Sequence, residues 1–368
     1  MRYFLIAGER SGDLHGSLLI TSLLKSDPAA EIFYWGGDYM QKAGGTLLRH
    51  YKDTAVMGFW EVLKNLRKLR NLQILCKNEI IRINPDAVIF IDFPGFNLRI
   101  AEFTKANGFI NFYYISPKVW AWNQKRALKL KKTIDRLFCI LPFEKEFFAR
   151  YGMEVSYVGN PLKQAISDYS FDQGFMDRYT GKRIVGVLPG SRQQEVNNLT
   201  SLLHGIVVKF PDHHFLVAGV DNLQLAVYEE LKLLGSRVEV VFDRTYEILK
   251  LSEVAIVTSG TATLEAALLN TPQVVVYRTS GFSYQIAKRL IKVPFISLVN
   301  LIANREVVRE LIQSDMSVDG ISSELNKVLF DSGYKNRILA DYDEISRLIG
   351  NQNSPEVAAT EIVKFLAR

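Results

Sequence analysis

The sequence predicts an α/β protein made of two Rossmann-like, doubly wound parallel-sheet domains with a helical C-terminus. Strand-like and helix-like segments alternate almost throughout the chain. The strand-like segments are continuous Val, Ile and Phe runs rather than apolar–polar alternations, the pattern of strands covered on both faces. The alternation is also interrupted once, near 162–182, by a polar, turn-rich stretch around 167–174, and it restarts at Arg183.

In the first half, strands are expected at 3–7, 31–35, 87–92, 109–115, 136–141 and 155–159. In the second half they are expected at 183–188, 213–218, 238–242, 254–258 and 273–277, and after about Ile302 the pattern is helical to the end. This gives an N-terminal domain over 1–165, a second domain over 180–335, and helices over 336–368 that cross back to the first domain or to a partner chain. Ligands of such sheets bind outside the carboxyl ends of the strands, so the cleft between the domains is the expected site.

Apolar residues make up 48% of the 368 and charged residues 23%, which excludes a disordered chain. A net charge of +6 favours acidic partners such as phosphates or an anionic membrane face without choosing among them. The two cysteines, Cys76 and Cys139, have no partner spacing and read as buried free thiols of a reducing compartment. The opening residues 1–7 run directly into Gly8-Glu9-Arg10 and read as a first buried strand rather than a leader peptide. No apolar run approaches the roughly 18 residues of a membrane span, so a cytoplasmic protein is expected, one that can still touch a membrane.

Five strand-end loops carry polar chemistry. Gly8-Glu9-Arg10-Ser11-Gly12-Asp13-Leu14-His15 follows the first strand and opens a helix. It reads either as a capped turn, with Ser11 or Asp13 as the cap, or as a seat for a phosphate or sugar hydroxyl. Asp92 ends a buried strand, where rigidity and desolvation suit a general base, although it also reads as a cap of the following helix. Trp120 and Trp122, after Ser116-Pro117, read equally as stacking surfaces for a sugar and as core. In the second half, Gly190-Ser191-Arg192 offers a close-approach turn and a permanent cation for a diphosphate. Ser259-Gly260-Thr261 offers hydroxyls and amides for the same group, and Glu265 can accept two ribose hydroxyls. No histidine shows ligand spacing with carboxylates, so no metal is expected.

Residues 57–70 and 125–136 are basic. In the former, Val62, Leu63, Leu66 and Leu69 share one helix face and Phe59 and Trp60 extend its apolar end. The segment reads either as a core-facing helix with a solvated back or as an interfacial helix for anionic lipid and acyl chains.

Taken in order, the loops resemble the lipid-A-disaccharide synthase family over nearly the whole chain. The resemblance rests on Ala-Gly-Glu-x-Ser-Gly-Asp at 7–13, Val-Met-Gly at 56–58, Ile-Asp-x-Pro-x-Phe-Asn at 91–97, Ser-Pro-x-Val-Trp-Ala-Trp at 116–122 and Leu-Pro-Phe-Glu at 141–144. It continues with Leu-Pro-Gly-Ser-Arg at 188–192, Ser-Gly-Thr-Ala-x-Leu-Glu at 259–265, Ser-Leu-x-Asn-Leu at 297–301 and Arg-Glu-x-Val at 305–308. Arg10 stands where a small residue is expected, and Gly95 where an acidic one is.

The resemblance implies the B-type glycosyltransferase fold and an inverting transfer of 2,3-diacylglucosamine from its UDP conjugate to the 6-hydroxyl of 2,3-diacylglucosamine 1-phosphate. The products would be a β(1→6) disaccharide phosphate and UDP, in lipid A biosynthesis. On this basis Asp92 is the expected base, with Glu9 as runner-up. UDP is expected on Ser191, Arg192, Ser259, Gly260, Thr261 and Glu265, and the acceptor sugar on Ser11, Asp13, Asn97, Ser116, Trp120 and Asn300. No cofactor is implied. Peripheral attachment to the cytoplasmic face of an inner membrane is, and so is a homodimer with exchanged C-terminal segments. The alternatives are another enzyme using UDP-N-acetylglucosamine, such as an epimerase or a peptidoglycan-type transferase, and a sensor that binds the nucleotide without turnover.

Overall fold

The computed structural model describes residues 1–54, 66–220, 223, 228–232 and 234–368. They form two compact units, Met1–Pro161 with Asn351–Arg368, and Leu162–Gly350.

The first unit is built on a sheet of seven strands, β1 (Arg2–Ala7), β2 (Glu31–Gly36), β3 (Thr46–His50), β4 (Ala87–Ile91), β5 (Ile110–Tyr114), β6 (Arg136–Cys139) and β7 (Ser156–Tyr157). Their spatial order is β3-β2-β1-β4-β5-β6-β7, and every pairing is parallel. β4 is buried at all five positions and β1 at five of six, as expected for central strands covered on both faces. The second unit repeats the plan with β8 (Arg183–Leu188), β9 (His213–Gly219), β10 (Val238–Phe242), β11 (Val254–Thr258), β12 (Gln273–Tyr277) and β13 (Glu310–Ile312), in the order β10-β9-β8-β11-β12-β13. These pairings are parallel too.

Two strands were not expected from sequence, and both lie at a sheet edge. β3 is half-exposed along most of its length and its pairing with β2 shifts register between Tyr34 and Trp35, so it lacks a buried run. β13 has three residues of which one is buried, and it corrects the reading of everything after Ile302 as helix. Edge strands need cover on fewer sides, so their apolar signal is weak.

Beyond β13 the chain serves both units. The helix Ser332–Ile349 packs in the second, where the Tyr342 hydroxyl accepts a hydrogen bond from Gln273 Nε2 at 3.0 Å. The helix Ser354–Leu366 packs in the first. Asn353 caps it by accepting from Glu356 N–H, and Pro355 sits in its first turn, where a missing N–H costs nothing. Ala358, Ala359 and Ile362 enter the same core as Tyr3, Leu5, Leu19 and Leu23, and the Phe365 ring meets Phe112 edge-on at 5.4 Å. Among the described residues no helix is long and apolar enough to cross a membrane. Cys76 and Cys139 are both buried free thiols.

The last helix is therefore part of the first unit's core. Ile362→Ala should cost about 2–5 kcal/mol, the range for truncating a buried Ile, read as a lower urea midpoint for the transition that includes this unit. Lys364→Ala on the exposed side of the same helix should stay within about 0.5 kcal/mol of the parent.

Candidate functional site

In each sheet the strand order reverses once, between β1 and β4 in the first unit and between β8 and β11 in the second. At such a reversal the loops leaving the two strands run to opposite sides and leave a crevice at the carboxyl ends. Four of the loops picked out in the sequence leave these four strands. Ala7 pairs with Ile91, so Gly8 and Asp92 are the next residues on neighbouring strands. Leu188 pairs with Val257, which sets the loops at 189–192 and 259–261 side by side.

In the first unit the loops touch through Gly8 and Phe93. A Cβ on Gly8 would lie 2.3 Å from the Phe93 ring, so only glycine fits there. Asp92 and Phe93 both take left-handed backbone angles, φ +44° and +49°. For residues with a Cβ this conformation costs about 1–2 kcal/mol each, so it needs anchoring. The anchor is the Asp92 carbonyl, which accepts from Asn97 Nδ2 at 2.8 Å and from the Tyr113 hydroxyl at 2.5 Å. The helix Pro94–Ala106 follows with Phe93, not Asp92, at its N-cap. The Asp92 carboxylate is thus not spent on capping. Burial pushes its pKa above the ordinary value. The Lys118 ammonium opposes this, the Glu9 carboxylate adds to it, and the Phe93 N–H opposes it again. Glu9, Arg10 and Ser11 are exposed on the neighbouring loop. His15, one turn further on, is pushed down to about 4 by burial and is neutral at physiological pH.

Several residues expected to hold the acceptor sugar are instead buried framework. Asp13 does not cap its own helix, Arg10–Ser26, whose N-cap is Glu9. Its carboxylate accepts from the N–H groups of Gly37, Tyr39 and Met40 at 2.7, 3.0 and 3.1 Å and so caps the start of the helix Asp38–Ala43. Asn97 is fully buried and its Nδ2 is committed to backbone carbonyls, chiefly that of Asp92. Ser116 and Trp120 donate to the buried Glu144, Trp120 Nε1 at 3.0 Å, and the N–H groups of Ile140 and Leu141 bind its other oxygen at 3.2 and 2.9 Å. Trp120 is core, edge-on to Phe143, whereas Trp122 is exposed with the Arg126 guanidinium 4.8 Å above its ring. Burial raises the Glu144 pKa, and the donors from Ser116, Leu141, Trp120 and Ile140 oppose it. Asn300, in the second unit, ties Val307 and Val308 to its own helix through both ends of its amide. Each of these polar groups is buried, and a buried polar group must find partners inside the fold. Glu310 belongs to the same framework and was missed from sequence, where its strand was read as helix. It accepts from the N–H groups of Ile296 and Ser297, the Ser297 hydroxyl and Asn300 Nδ2.

The nucleotide-type loops of the second unit are more open. Gly190 has φ +98°, a conformation that favours glycine, and a Cβ there would meet Glu195 Oε2 at 2.4 Å. Arg192 is the N-cap of the helix Gln193–Lys209. Glu195 Oε2 accepts from the N–H groups of Ser191 and Arg192 at 3.2 and 3.3 Å, so the two amides already converge on an oxyanion. The Arg192 side chain touches Glu195 at 3.1 Å yet stays 78% exposed. Across the crevice Gly260 and Thr261 are exposed. Ser259 is less available than expected, because its hydroxyl donates to the Ile296 carbonyl at 2.8 Å. Glu265 is half-buried, and burial pushes its pKa up to about 7, with the Tyr246 hydroxyl opposing the rise.

Of the residues expected to meet membrane or acyl chains, Phe59, Trp60, Val62 and Leu63 lie outside the described residues. Leu66 opens the described helix Leu66–Ile83, and Leu69 is half-buried on it. The same helix exposes Ile74, Leu75 and Ile81 beside Arg67, Lys68, Arg70 and Arg82.

Comparison with known proteins fits this arrangement. The chain is similar to solved structures with the same fold: Neisseria meningitidis UDP-GlcNAc 2-epimerase bound to UDP-GlcNAc (TM-score 0.66, 12% identity, all of both chains) and Staphylococcus aureus MnaA in a co-structure with UDP (TM-score 0.70, 12% identity, 100% and 97% of the two chains). At such identity the likeness shows the fold alone. In sequence it is 33% identical to the lipid-A-disaccharide synthase of Geobacter sulfurreducens over 382 aligned residues, covering 100% of this chain and 98% of that one. It is 36% identical to that of Trichlorobacter lovleyi over 354, covering 90% and 89%. The family model for lipid-A-disaccharide synthetase matches residues 3–362, and the chain belongs to the lipid-A-disaccharide synthase family.

Proposed function

We propose that the chain transfers 2,3-diacylglucosamine from its UDP conjugate to the 6-hydroxyl of 2,3-diacylglucosamine 1-phosphate, giving the β(1→6)-linked disaccharide 1-phosphate and UDP. The observation that carries this reading is the pairing of functional loops with strand-order reversals. A half-buried carboxylate stands at one reversal, and a turn with converging amides and an exposed arginine stands at the other. The family of the chain supplies the substrates.

The donor bond is α and the product bond β, so a single displacement suffices. Asp92 accepts the proton of the attacking 6-hydroxyl. Burial raises its pKa, which makes it a stronger base than an ordinary aspartate. Glu9 and Ser11, exposed beside it, contact the acceptor sugar. Negative charge builds on the departing UDP as the sugar becomes oxocarbenium-like. Arg192, Gly260 and Thr261 meet that charge, with the Ser191 and Arg192 amides once Glu195 yields them. Ser259 contributes through its loop position rather than its donated proton. The purified chain should turn over the two acylated substrates with EDTA present, read as disaccharide phosphate and UDP released together. Loss of turnover on chelation would overturn the mechanism, and turnover of plain UDP-N-acetylglucosamine instead would move the chain to an epimerase-like reading.

Both substrates carry acyl chains, so the acceptor side must reach lipid, on the cytoplasmic face of the inner membrane. The exposed apolar and cationic residues of the helix Leu66–Ile83, and Leu128, Lys131 and Lys132 on the helix Arg126–Thr133, support docking on anionic headgroups. Each surface cation contributes about 1 kcal/mol there. Raising salt from about 0.1 to about 1 M cuts the screening length from about 10 to about 3 Å and should release the protein from phosphatidylglycerol-containing vesicles in a flotation assay. Binding that persists would mean apolar insertion instead.

A further inference from the structure

Between Glu265 and Glu306 the chain carries no acidic residue, but it carries Arg278, Lys288, Arg289, Lys292 and Arg305. Two of these cations are held inside the unit. Arg278 donates to the Gln313 carbonyl from Nε at 3.3 Å and Nη2 at 3.2 Å, and Arg305 Nη2 meets Asp341 at 2.7 Å and Glu344 at 2.6 Å. Lys288, Arg289 and Lys292 are exposed, and among the described residues none of them has a carboxylate partner. Between them stand Leu290 and Ile291, 48% and 39% exposed. Among the described residues of the second unit, no other two consecutive large apolar residues are exposed.

This turn is tied to the crevice end of the sheet from both sides. The chain leaves β12 at Tyr277 and enters the helix Gly281–Leu290. On the way Thr279 N–H donates to Gln313 Oε1 at 2.8 Å, and the Thr279 carbonyl accepts from Gln313 Nε2 at 3.1 Å. The chain returns at Ile296, whose N–H donates to Glu310 at 3.0 Å and whose carbonyl accepts the Ser259 hydroxyl at 2.8 Å. Ser259 opens the loop after β11, so the segment that bears the turn is bonded directly to a nucleotide-type loop.

Lys288 and Arg289 lie in the last turn of their helix, where positive charge complements the carbonyl end. That accounts for two of the cations but not for Lys292 or the apolar pair. Single exposed apolar residues are ordinary, whereas contiguous ones mark a contact. The partner that suits this turn offers negative charge and an apolar interior side by side. An anionic bilayer offers both. Its headgroups favour each nearby cation by about fivefold in partitioning, and Leu290 and Ile291 can enter the acyl boundary beneath them. A polyphosphate or a nucleic acid would use the cations and leave the apolar pair in water.

We propose that the turn at 288–292 is a lipid contact belonging to the nucleotide unit, which seats that unit on anionic headgroups where an acylated donor is embedded. The proposal rests on the reading of the donor as a lipid-linked UDP sugar. It goes beyond the docking of the first unit through the helix Leu66–Ile83, because it gives the second unit a contact of its own.

Site-specific fluorescence on the full chain tests this. Cys76 and Cys139 are the only cysteines and both are buried, so an introduced surface cysteine takes an environment-sensitive label selectively. Three labelled chains are compared: Ile291→Cys, Ile74→Cys in the first unit, and Val208→Cys, exposed at the far end of the helix Gln193–Lys209. Each is mixed with vesicles of phosphatidylcholine alone or with phosphatidylglycerol added. The expected result is a blue shift at Ile291→Cys with the anionic vesicles only, and none at Val208→Cys. Replacing Lys288, Arg289 and Lys292 together by Gln should weaken binding to the anionic vesicles by up to about a hundredfold, about fivefold for each charge. The same replacement should leave affinity for water-soluble UDP unchanged.

No shift at Ile291→Cys while Ile74→Cys shifts would overturn the inference and leave the docking of the first unit standing. No shift at either would overturn both. An equal shift on neutral vesicles, or a loss of UDP affinity when the three cations are replaced, would also overturn it. So would a shift that grows with protein concentration in the absence of vesicles, which would assign the turn to a second copy of the chain.

Discussion

A parallel sheet whose strand order reverses cannot cover the carboxyl ends of the two strands at the reversal, because their loops depart to opposite sides. Both units of this chain obey that constraint, at β1/β4 and at β8/β11, and their polar chemistry is gathered there. The rest of each unit serves to hold those four strand ends. β4 is buried at every position, and the loops on either side of it are pinned by side chains from elsewhere in the same unit. Gly8 is bare of a side chain because Phe93 needs its space, and Phe93 is there because Asp92 turns left-handed before it.

Two sets of polar residues emerge, separated by burial. Glu9, Ser11, Arg192, Gly260 and Thr261 are exposed. Asp13, Asn97, Ser116, Glu144 and Asn300 are buried and engaged in internal hydrogen bonds. The second set shapes the first. Asn97 and Tyr113 together restrain the strained Asp92 backbone, and Glu310 with Asn300 holds the segment to which Ser259 is bonded. A motif such as Ile-Asp-x-Pro-x-Phe-Asn therefore mixes a reactive group with the side chain that orients it. The two look alike in sequence because both are polar and both sit in strand-end loops.

The central strands were legible because burial on both faces writes itself as a continuous apolar run. The central strands β8, β11 and β12 have the expected limits, and so does β10, an edge strand that still carries a Val-rich run. The edge strands β3 and β13 carried no such signal, and missing β13 hid Glu310. The positions of the functional loops were legible from Gly, Ser and Asp at strand ends. The partners of their side chains were not. Asp13 caps a helix that begins 25 residues later, and Glu144 collects Ser116 and Trp120 from 28 and 24 residues earlier. Pairings of that kind are set by strand order, which no local pattern encodes.

The central claim is that the left-handed turn at the end of β4 presents Asp92 as the base for glycosyl transfer. It is tested most directly by comparing kcat of wild type and Asp92→Ala on the two acylated substrates, with UDP binding measured alongside to show that the second unit is intact. The account predicts a loss of at least about a hundredfold in kcat, the usual scale for a general base, with UDP affinity unchanged. Full activity in Asp92→Ala would contradict it and transfer the role of base to Glu9.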